Sequence, residues 1–276
     1  MLALLRGSSA YHLIPNEEIV GEAIKNRRQD LILATKGGNR FEKGKSGWDW
    51  DPSKAYIKEA VKQSLKRLQT DYIDLYQLHG GTIDDPIDET IEAFEELVEE
   101  GVIRYYGISS IRPNVIKEYA KKSNIVSVMM QYSLLDRRPE EWFSLLEEQG
   151  ISVVARGPLA KGLLTEKPLS EASDSIQKNG YLHYSFDELK QVIPSLKKVA
   201  HDLSLTELSI QYLLKNSVVS SVVFGSCHSW LAAFGRRNGI TLIHWHSMYL
   251  RRCLYCAASK GIKEKKMSLL IGASSL

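Results

Sequence analysis

The sequence predicts an α/β fold of the (β/α)8 TIM-barrel type. Apolar strand-like runs alternate with amphipathic helical segments along most of the chain. The strand-like runs are apolar almost throughout, as in a parallel sheet covered by helices. A length of 276 residues suits one barrel of this class. No G-x-G-x-x-G follows a strand-like run, which disfavours a doubly wound dinucleotide-binding sheet.

Six runs are predicted to form strands. Each is short and rich in apolar and β-branched residues, which is typical of a buried strand. The first, DLILATK, and the second, YIDLYQL, show this composition most clearly. The predicted strands are residues 30–36, 72–78, 104–109, 125–133, 151–157 and 220–226.

The intervening segments are predicted to form helices. Ile57, Val61 and Leu65 recur at helical spacing and make one apolar stripe, and Asp51 is the expected N-cap of that helix. Pro194 is expected to kink or start part of a later helix. The predicted helices are residues 51–68, 87–101, 113–123, 139–150, 185–203 and 206–216.

The two ends of the chain depart from a complete barrel. The segment before NEEIVGEAI is short, so we expect the first strand, the first helix and part of the second strand to be missing. We therefore assign residues 1–226 to an incomplete, truncated barrel and residues 227–276 to a separate basic tail. That tail contains eight Lys or Arg residues, one acidic residue and all three cysteines.

Composition disfavours several classes of protein. A net charge of +3 is too small to indicate nucleic-acid binding. The apolar run in MLALLRG is too short for a signal peptide, and the uncharged stretch 217–235 is too serine-rich for a membrane span. A cysteine-free main body suits a reducing cytosol, so we expect a cytoplasmic protein without a nucleic-acid or membrane partner. The sequence carries no signature of a particular oligomeric state.

The tail admits two interpretations. His244, His246, Cys253 and Cys256 offer zinc-ligating atoms, but the histidine spacing is wrong for a zinc module, so we predict no metal site. The abrupt change in composition instead favours an unstructured or foreign segment, such as the product of a frameshift or recombination.

Two strand-like runs end in the same way, with a polar side chain followed by two glycines. Lys36 closes the first and His79 closes the second. Each alone is typical of a loop lysine or a structural histidine, but active sites of barrels lie at the C-terminal ends of the strands. A lysine beside a tyrosine lowers the phenol pKa, and a neutral histidine polarises a carbonyl group. The pair therefore indicates a site for carbonyl reduction.

The chain resembles the aldo-keto reductases, close to the bacterial group that also resembles potassium-channel β-subunits. The resemblance covers residues 11–226. It is carried by the stretches NEEIVGEAI, LILATKGG, LQTDYIDLYQLHGG, ELVEEGVIRYYGISS, QYSLLDR and ARGPLAKGLLT. It implies an NADPH-dependent reduction of an aldehyde or ketone to an alcohol, with NADH not excluded as the cofactor.

The resemblance implies roles for individual residues. Tyr11 stands where the proton-donating tyrosine stands, Lys36 where its tuning lysine stands, and His79 where the carbonyl-orienting histidine stands. The remaining matches are to cofactor-binding positions. These are Ser109, Ser110, Gln131, Arg156, Gly157, Pro158, Leu159, Lys161, Gly162, Gly225 and Ser226.

Several positions depart from the family pattern. Arg6 occupies the place of the aspartate that pairs with the lysine, and Ser110 the place of an asparagine. Arg156 replaces a common stacking aromatic, and the 2′-phosphate loop that begins at Gly225 breaks off after Ser226. A non-catalytic, degraded reductase is therefore the alternative. A barrel lyase or isomerase is disfavoured, because it would leave the cofactor positions unexplained.

Overall fold

A computed structural model describes residues 2–4, 16–41 and 47–223. Its strands are β1 Leu2–Leu4, β2 Ile32–Gly37, β3 Asn39–Arg40, β4 Asp49–Trp50, β5 Ile73–Leu78, β6 Ile103–Ser109, β7 Ser127–Gln131, β8 Ser152–Arg156 and β9 Val219–Val223. Its α-helices are α1 Asn16–Ile24, α2 Lys54–Leu68, α3 Ile87–Glu99, α4 Pro113–Lys122, α5 Phe143–Glu148, α6 Asp174–Asn179, α7 Phe186–Val199 and α8 Leu205–Leu214.

Seven of these strands form one parallel sheet in the order β1-β2-β5-β6-β7-β8-β9. The predicted alternation of strands and helices is confirmed, and all the pairings within this sheet are parallel. An eight-stranded barrel would need one more strand between β9 and β1, and the described residues supply none. Within them, the fold is therefore an incomplete (β/α)8 barrel, as predicted.

The core lies on the two faces of this sheet. Ala34, Leu75, Met129 and Val154 form a cluster on the concave face, where the barrel interior lies. A larger cluster packs the convex face against the helices, and Phe94 of α3 stacks there on Tyr106 of β6. Because successive residues of a strand alternate between the faces, this division fixes which side chains line the interior.

Several helix ends differ from the prediction. Helix α2 begins after Ser53, whose hydroxyl oxygen accepts the Tyr56 amide, so Asp51 is not its N-cap. Asp51, two residues earlier, instead accepts hydrogen bonds from the amide and the hydroxyl of Ser53. The predicted helix 139–150 is divided into a 3-10 turn, Arg138–Trp142, and α5. Helix α7 runs through Pro194.

No described helix is both long enough and apolar enough to cross a membrane.

A buried carboxylate ties three strands together at the N-terminal end of the sheet. Asp74 of β5 accepts the Leu33 amide of β2 at 2.8 Å. It also pairs with Arg28 at 2.8 Å and with Arg104 of β6 at 2.9 Å. The Arg28 side chain is 11% exposed, so removing Asp74 would leave a buried charge without this partner.

We predict that Asp74→Ala lowers the free energy of unfolding by about 3–5 kcal/mol, because it leaves the buried Arg28 guanidinium without its carboxylate partner. Asp88→Ala is the matched control, since Asp88 pairs with Lys122 at the surface and is 82% exposed. We expect that control to cost less than about 1 kcal/mol. Urea denaturation measures the free energy of unfolding of both variants. An equal decrease in the two variants would show that Asp74 does not hold the strands together.

Candidate active site

Five of the predicted site residues lie at the C-terminal edge of the sheet, on its concave face. Lys36, Gln131 and Arg156 each lie two residues after a member of the cluster on the concave face. Ser109 pairs in register with Met129 of that cluster. His79 directly follows β5. The alternation of a strand therefore directs these side chains to one rim of the barrel.

The register of β2 and β5 brings the two principal residues together. Lys36 is opposite Gln77, and the His79 amide donates to the Gly37 carbonyl oxygen at 2.8 Å. Lys36 and His79 thus lie at the C-terminal ends of adjacent strands, with His79 two residues beyond the register partner of Lys36. The prediction that the two matching run ends share one edge is confirmed.

The glycines after Lys36 and His79 make room for the ring of Trp50. A Cβ atom at Gly38 would lie 2.7 Å from a Trp50 ring carbon, and one at Gly80 would lie 3.2 Å away. Both glycines also have positive φ, of 109° and 138°. The Trp50 indole is fixed by donation to Asp85 at 3.0 Å. The β3–β4 hairpin, which the sequence interpretation missed, therefore lies over the rim between the two strands.

The hairpin also contacts His79 directly. Asn39 Nδ2 lies 3.0 Å from His79 Nδ1. The Asn39 backbone is held in turn, because its carbonyl oxygen accepts the Tyr56 hydroxyl at 2.8 Å. Asn39 is thus a partner of the predicted catalytic histidine, and the sequence offered no signal for it beyond its position after KGG.

Gln131 is oriented by a second network. Its Nε2 donates to Asp136 Oδ2 at 3.0 Å and to the Tyr181 hydroxyl at 3.3 Å. Burial and the nearby Asp136 charge raise the pKa of Tyr181. Asp136 is buried and receives two hydrogen bonds from Arg138, at 2.7 and 2.8 Å. Since Nε2 is engaged, Oε1 is the acceptor that Gln131 presents, and Arg156 Nη1 approaches it at 3.3 Å.

Ser110 and the 157–162 loop are held mainly by local contacts. The Ser110 hydroxyl oxygen accepts the Arg112 amide, and the residue is buried. Within the loop, Ala160 and Gly162 donate their amides to Gly157 and Leu159. Pro158 and Leu159 are buried, whereas Lys161 is exposed, with φ of 57°. Among the described groups of this loop, the Lys161 ammonium is best suited to a phosphate.

Some predicted residues lie outside the described part of the chain. Tyr11, Gly225 and Ser226 belong to this group, as do Arg6 and the tail with its four candidate zinc-ligating residues. Their predicted roles stay predictions. The described site therefore comprises the rim residues, the hairpin and the Gln131 network.

A model of the aldo/keto reductase family matches residues 7–230. The chain belongs to this family. It is 74% identical over 211 residues to a protein named "Uncharacterized oxidoreductase YqkF" from Bacillus subtilis (strain 168), a match that spans 76% of this chain and 69% of that protein. The family resemblance predicted from the sequence motifs is thereby confirmed.

Two further relatives are consistent with the family. The solved structure of aldo-keto reductase AKR11C1 from Bacillus halodurans, in its holo form, superposes with a TM-score of 0.72 at 56% identity, covering 95% of this chain and 80% of that one. A protein named "Probable voltage-gated potassium channel subunit beta" from Arabidopsis thaliana is 30% identical over 230 residues, 76% of this chain and 69% of that protein. The predicted likeness to the potassium-channel subunits is thus confirmed as well.

The packing of Trp50 on Gly38 leads to a stability prediction. We expect Gly38→Ala to destabilise the protein by about 1–3 kcal/mol more than Gly101→Ala, because only the former places a methyl group against a ring. Gly101 is the control, since it also has positive φ, at 72°, and a Cβ there would meet no described atom within 4 Å. The denaturant midpoints of the two variants measure these changes in stability. An equal decrease in both midpoints would mean that packing against the Trp50 ring is unimportant.

Proposed function

We propose that this chain reduces the carbonyl group of a small aldehyde or ketone to an alcohol, with NADPH as the hydride donor and NADH as the alternative donor. The observation that carries the proposal is the β2–β5 register, which places Lys36 and His79 at the ends of adjacent strands on one rim, with the His79 amide bonded to the residue after Lys36. Family membership supports an oxidoreductase, and the paired residue types favour carbonyl chemistry. The low cysteine content of the main body favours a cytoplasmic location.

The residues of the rim fit a nicotinamide carboxamide, which offers one acceptor and two donor hydrogens. The Ser109 hydroxyl can donate to its oxygen, and Gln131 Oε1 can accept from its nitrogen. Asp136 supports that assignment, because it engages Gln131 Nε2 and leaves Oε1 as the acceptor, with one lone pair toward Arg156 Nη1 and a second for the carboxamide nitrogen. Bound there, a reduced nicotinamide would supply the hydride.

The proposed roles of the chain's own residues follow from charge and hydrogen bonding. In the proposed role, the positive charge of Lys36 favours the phenolate form of Tyr11 and so assists release of the phenol proton. Tyr11 delivers its proton to the oxygen as negative charge develops there. His79 donates a hydrogen bond to the same oxygen and orients it. Lys161 and Arg156 supply positive charge toward the phosphates and the ring of the cofactor.

The alternative is a degraded reductase that retains the cofactor-binding site but no longer catalyses carbonyl reduction. Arg6 favours it, because an arginine stands where the family places the aspartate that pairs with Lys36. The two proposals differ in one measurable property. A working reductase must consume reduced cofactor when an aldehyde is added, whereas a degraded one binds cofactor without consuming it.

We expect Lys36→Met and His79→Ala each to lower kcat/KM for aldehyde reduction by at least about 100-fold, since each removes a group from proton transfer or charge stabilisation. The assay follows loss of reduced nicotinamide with a panel of small aldehydes. Lys62→Met and His183→Ala are the matched controls, because both residues are exposed and neither is assigned a role in the site. Undiminished turnover in either rim variant would refute the assigned roles.

We expect Asp136→Asn to weaken NADPH binding by about tenfold, because it turns a carboxylate that holds Gln131 into a group with its own donor hydrogens. The effect should appear in the NADPH Kd rather than in the KM for the aldehyde. Glu141→Gln removes the same charge at an exposed position and serves as the control. An unchanged Kd in Asp136→Asn would contradict the proposed orientation of Gln131.

A further inference from the structure

The chemistry of His79 depends on which ring nitrogen carries its proton. A neutral imidazole has one N–H donor and one acceptor nitrogen. Polarising a carbonyl group requires the donor nitrogen to point toward the substrate. The environment of the other nitrogen therefore decides whether the ring can act.

The contact between Asn39 and His79 favours one tautomer of the neutral ring. The atom that faces Nδ1 is the Asn39 amide nitrogen, at 3.0 Å. An amide NH2 group can only donate, so Nδ1 must accept. The single proton of the neutral ring then lies on Nε2.

Both partners are held in place by the backbone. Asn39 pairs with Trp50 in the hairpin ladder, and its carbonyl oxygen accepts the Tyr56 hydroxyl. Burial raises the pKa of Tyr56, which keeps that hydroxyl protonated and able to donate. His79 is fixed through its amide to Gly37. The contact is therefore set by the folded β2–β5 edge and the hairpin rather than by two mobile side chains.

The reversed amide would be less favourable. In the structure, Asn39 Oδ1 is buried and has no hydrogen-bond partner among the described residues. Turning the amide would satisfy that oxygen but would bury the NH2 group in its place. An NH2 group in that buried position would have two donor hydrogens to satisfy, which supports the observed orientation.

We propose that Asn39 is a positioning residue that fixes the Nε2–H tautomer of His79 and so sets the ring to donate to the substrate carbonyl oxygen. The inference about catalysis rests on the proposed function, but the tautomer itself does not. Asn39 acts through His79 rather than on the reacting atoms. Asn39 belongs to the β3–β4 hairpin, which directly follows the KGG sequence.

The test is 15N NMR of the full chain with labelled histidine, at a pH where His79 is neutral. The His79 signals are identified by their loss in His79→Gln. We expect a protonated Nε2 and a bare Nδ1 in the unmodified protein. In Asn39→Asp, the carboxylate accepts from Nδ1–H, so we expect the proton to move to Nδ1, whereas the exposed Asn179→Asp should change nothing.

Enzyme assays separate this inference from the proposed function. We expect Asn39→Asp to lower kcat by about tenfold or more with the NADPH Kd unchanged within about twofold, because the ring loses its outward donor. A proton on Nδ1 in the unmodified protein, or an unmoved proton in Asn39→Asp, would overturn the inference even if the enzyme is active. An Nε2–H tautomer in a chain that reduces no carbonyl would instead refute the proposed function alone.

Discussion

The hydrogen-bond register between β2 and β5 is the constraint on which the rest of the site depends. It pairs Lys36 with Gln77 and ties the His79 amide to Gly37. Because a strand alternates between its faces, a shift of one residue would turn Lys36 from the rim into the helix-covered face. Asp74 secures the same two strands at their other end by accepting the Leu33 amide. The chemistry at one end of the sheet thus relies on a buried ion pair at the other.

Around this edge, partners on loops orient the side chains that the strands supply. The β3–β4 hairpin fits between β2 and β5 because Gly38 and Gly80 leave space for Trp50, and it brings Asn39 to His79. On the opposite side, Asp136 and Tyr181 hold the Gln131 amide. By bonding to one polar atom of His79 or Gln131, each loop residue determines whether the other polar atom of that side chain acts as a donor or as an acceptor. Such supporting contacts matter because catalytic groups act only within narrow limits of distance and angle.

The sequence predicted the parts that depend on local pattern. Apolar runs located six of the seven strands of the main sheet, all except β1, and the KGG and HGG endings located the shared edge. The hairpin was missed because two-residue strands have no periodicity to detect, and Asp136 because one carboxylate in a loop has no local signature. Asp51 was wrongly taken as a helix N-cap because Ser53, two residues later, competes for the same role. Contacts between distant segments, such as Asn39 with His79, arise only from the tertiary fold.

Thermal unfolding of the purified 276-residue chain, with and without NADPH, tests most directly whether this edge is a nicotinamide site. A ligand that binds only the folded state at about 100 times its Kd stabilises it by about 2.7 kcal/mol. For a protein of this size, we therefore predict one cooperative transition that rises by about 5–10 °C. A transition that responds to neither NADPH nor NADH would contradict the account, because the rim would then hold no cofactor.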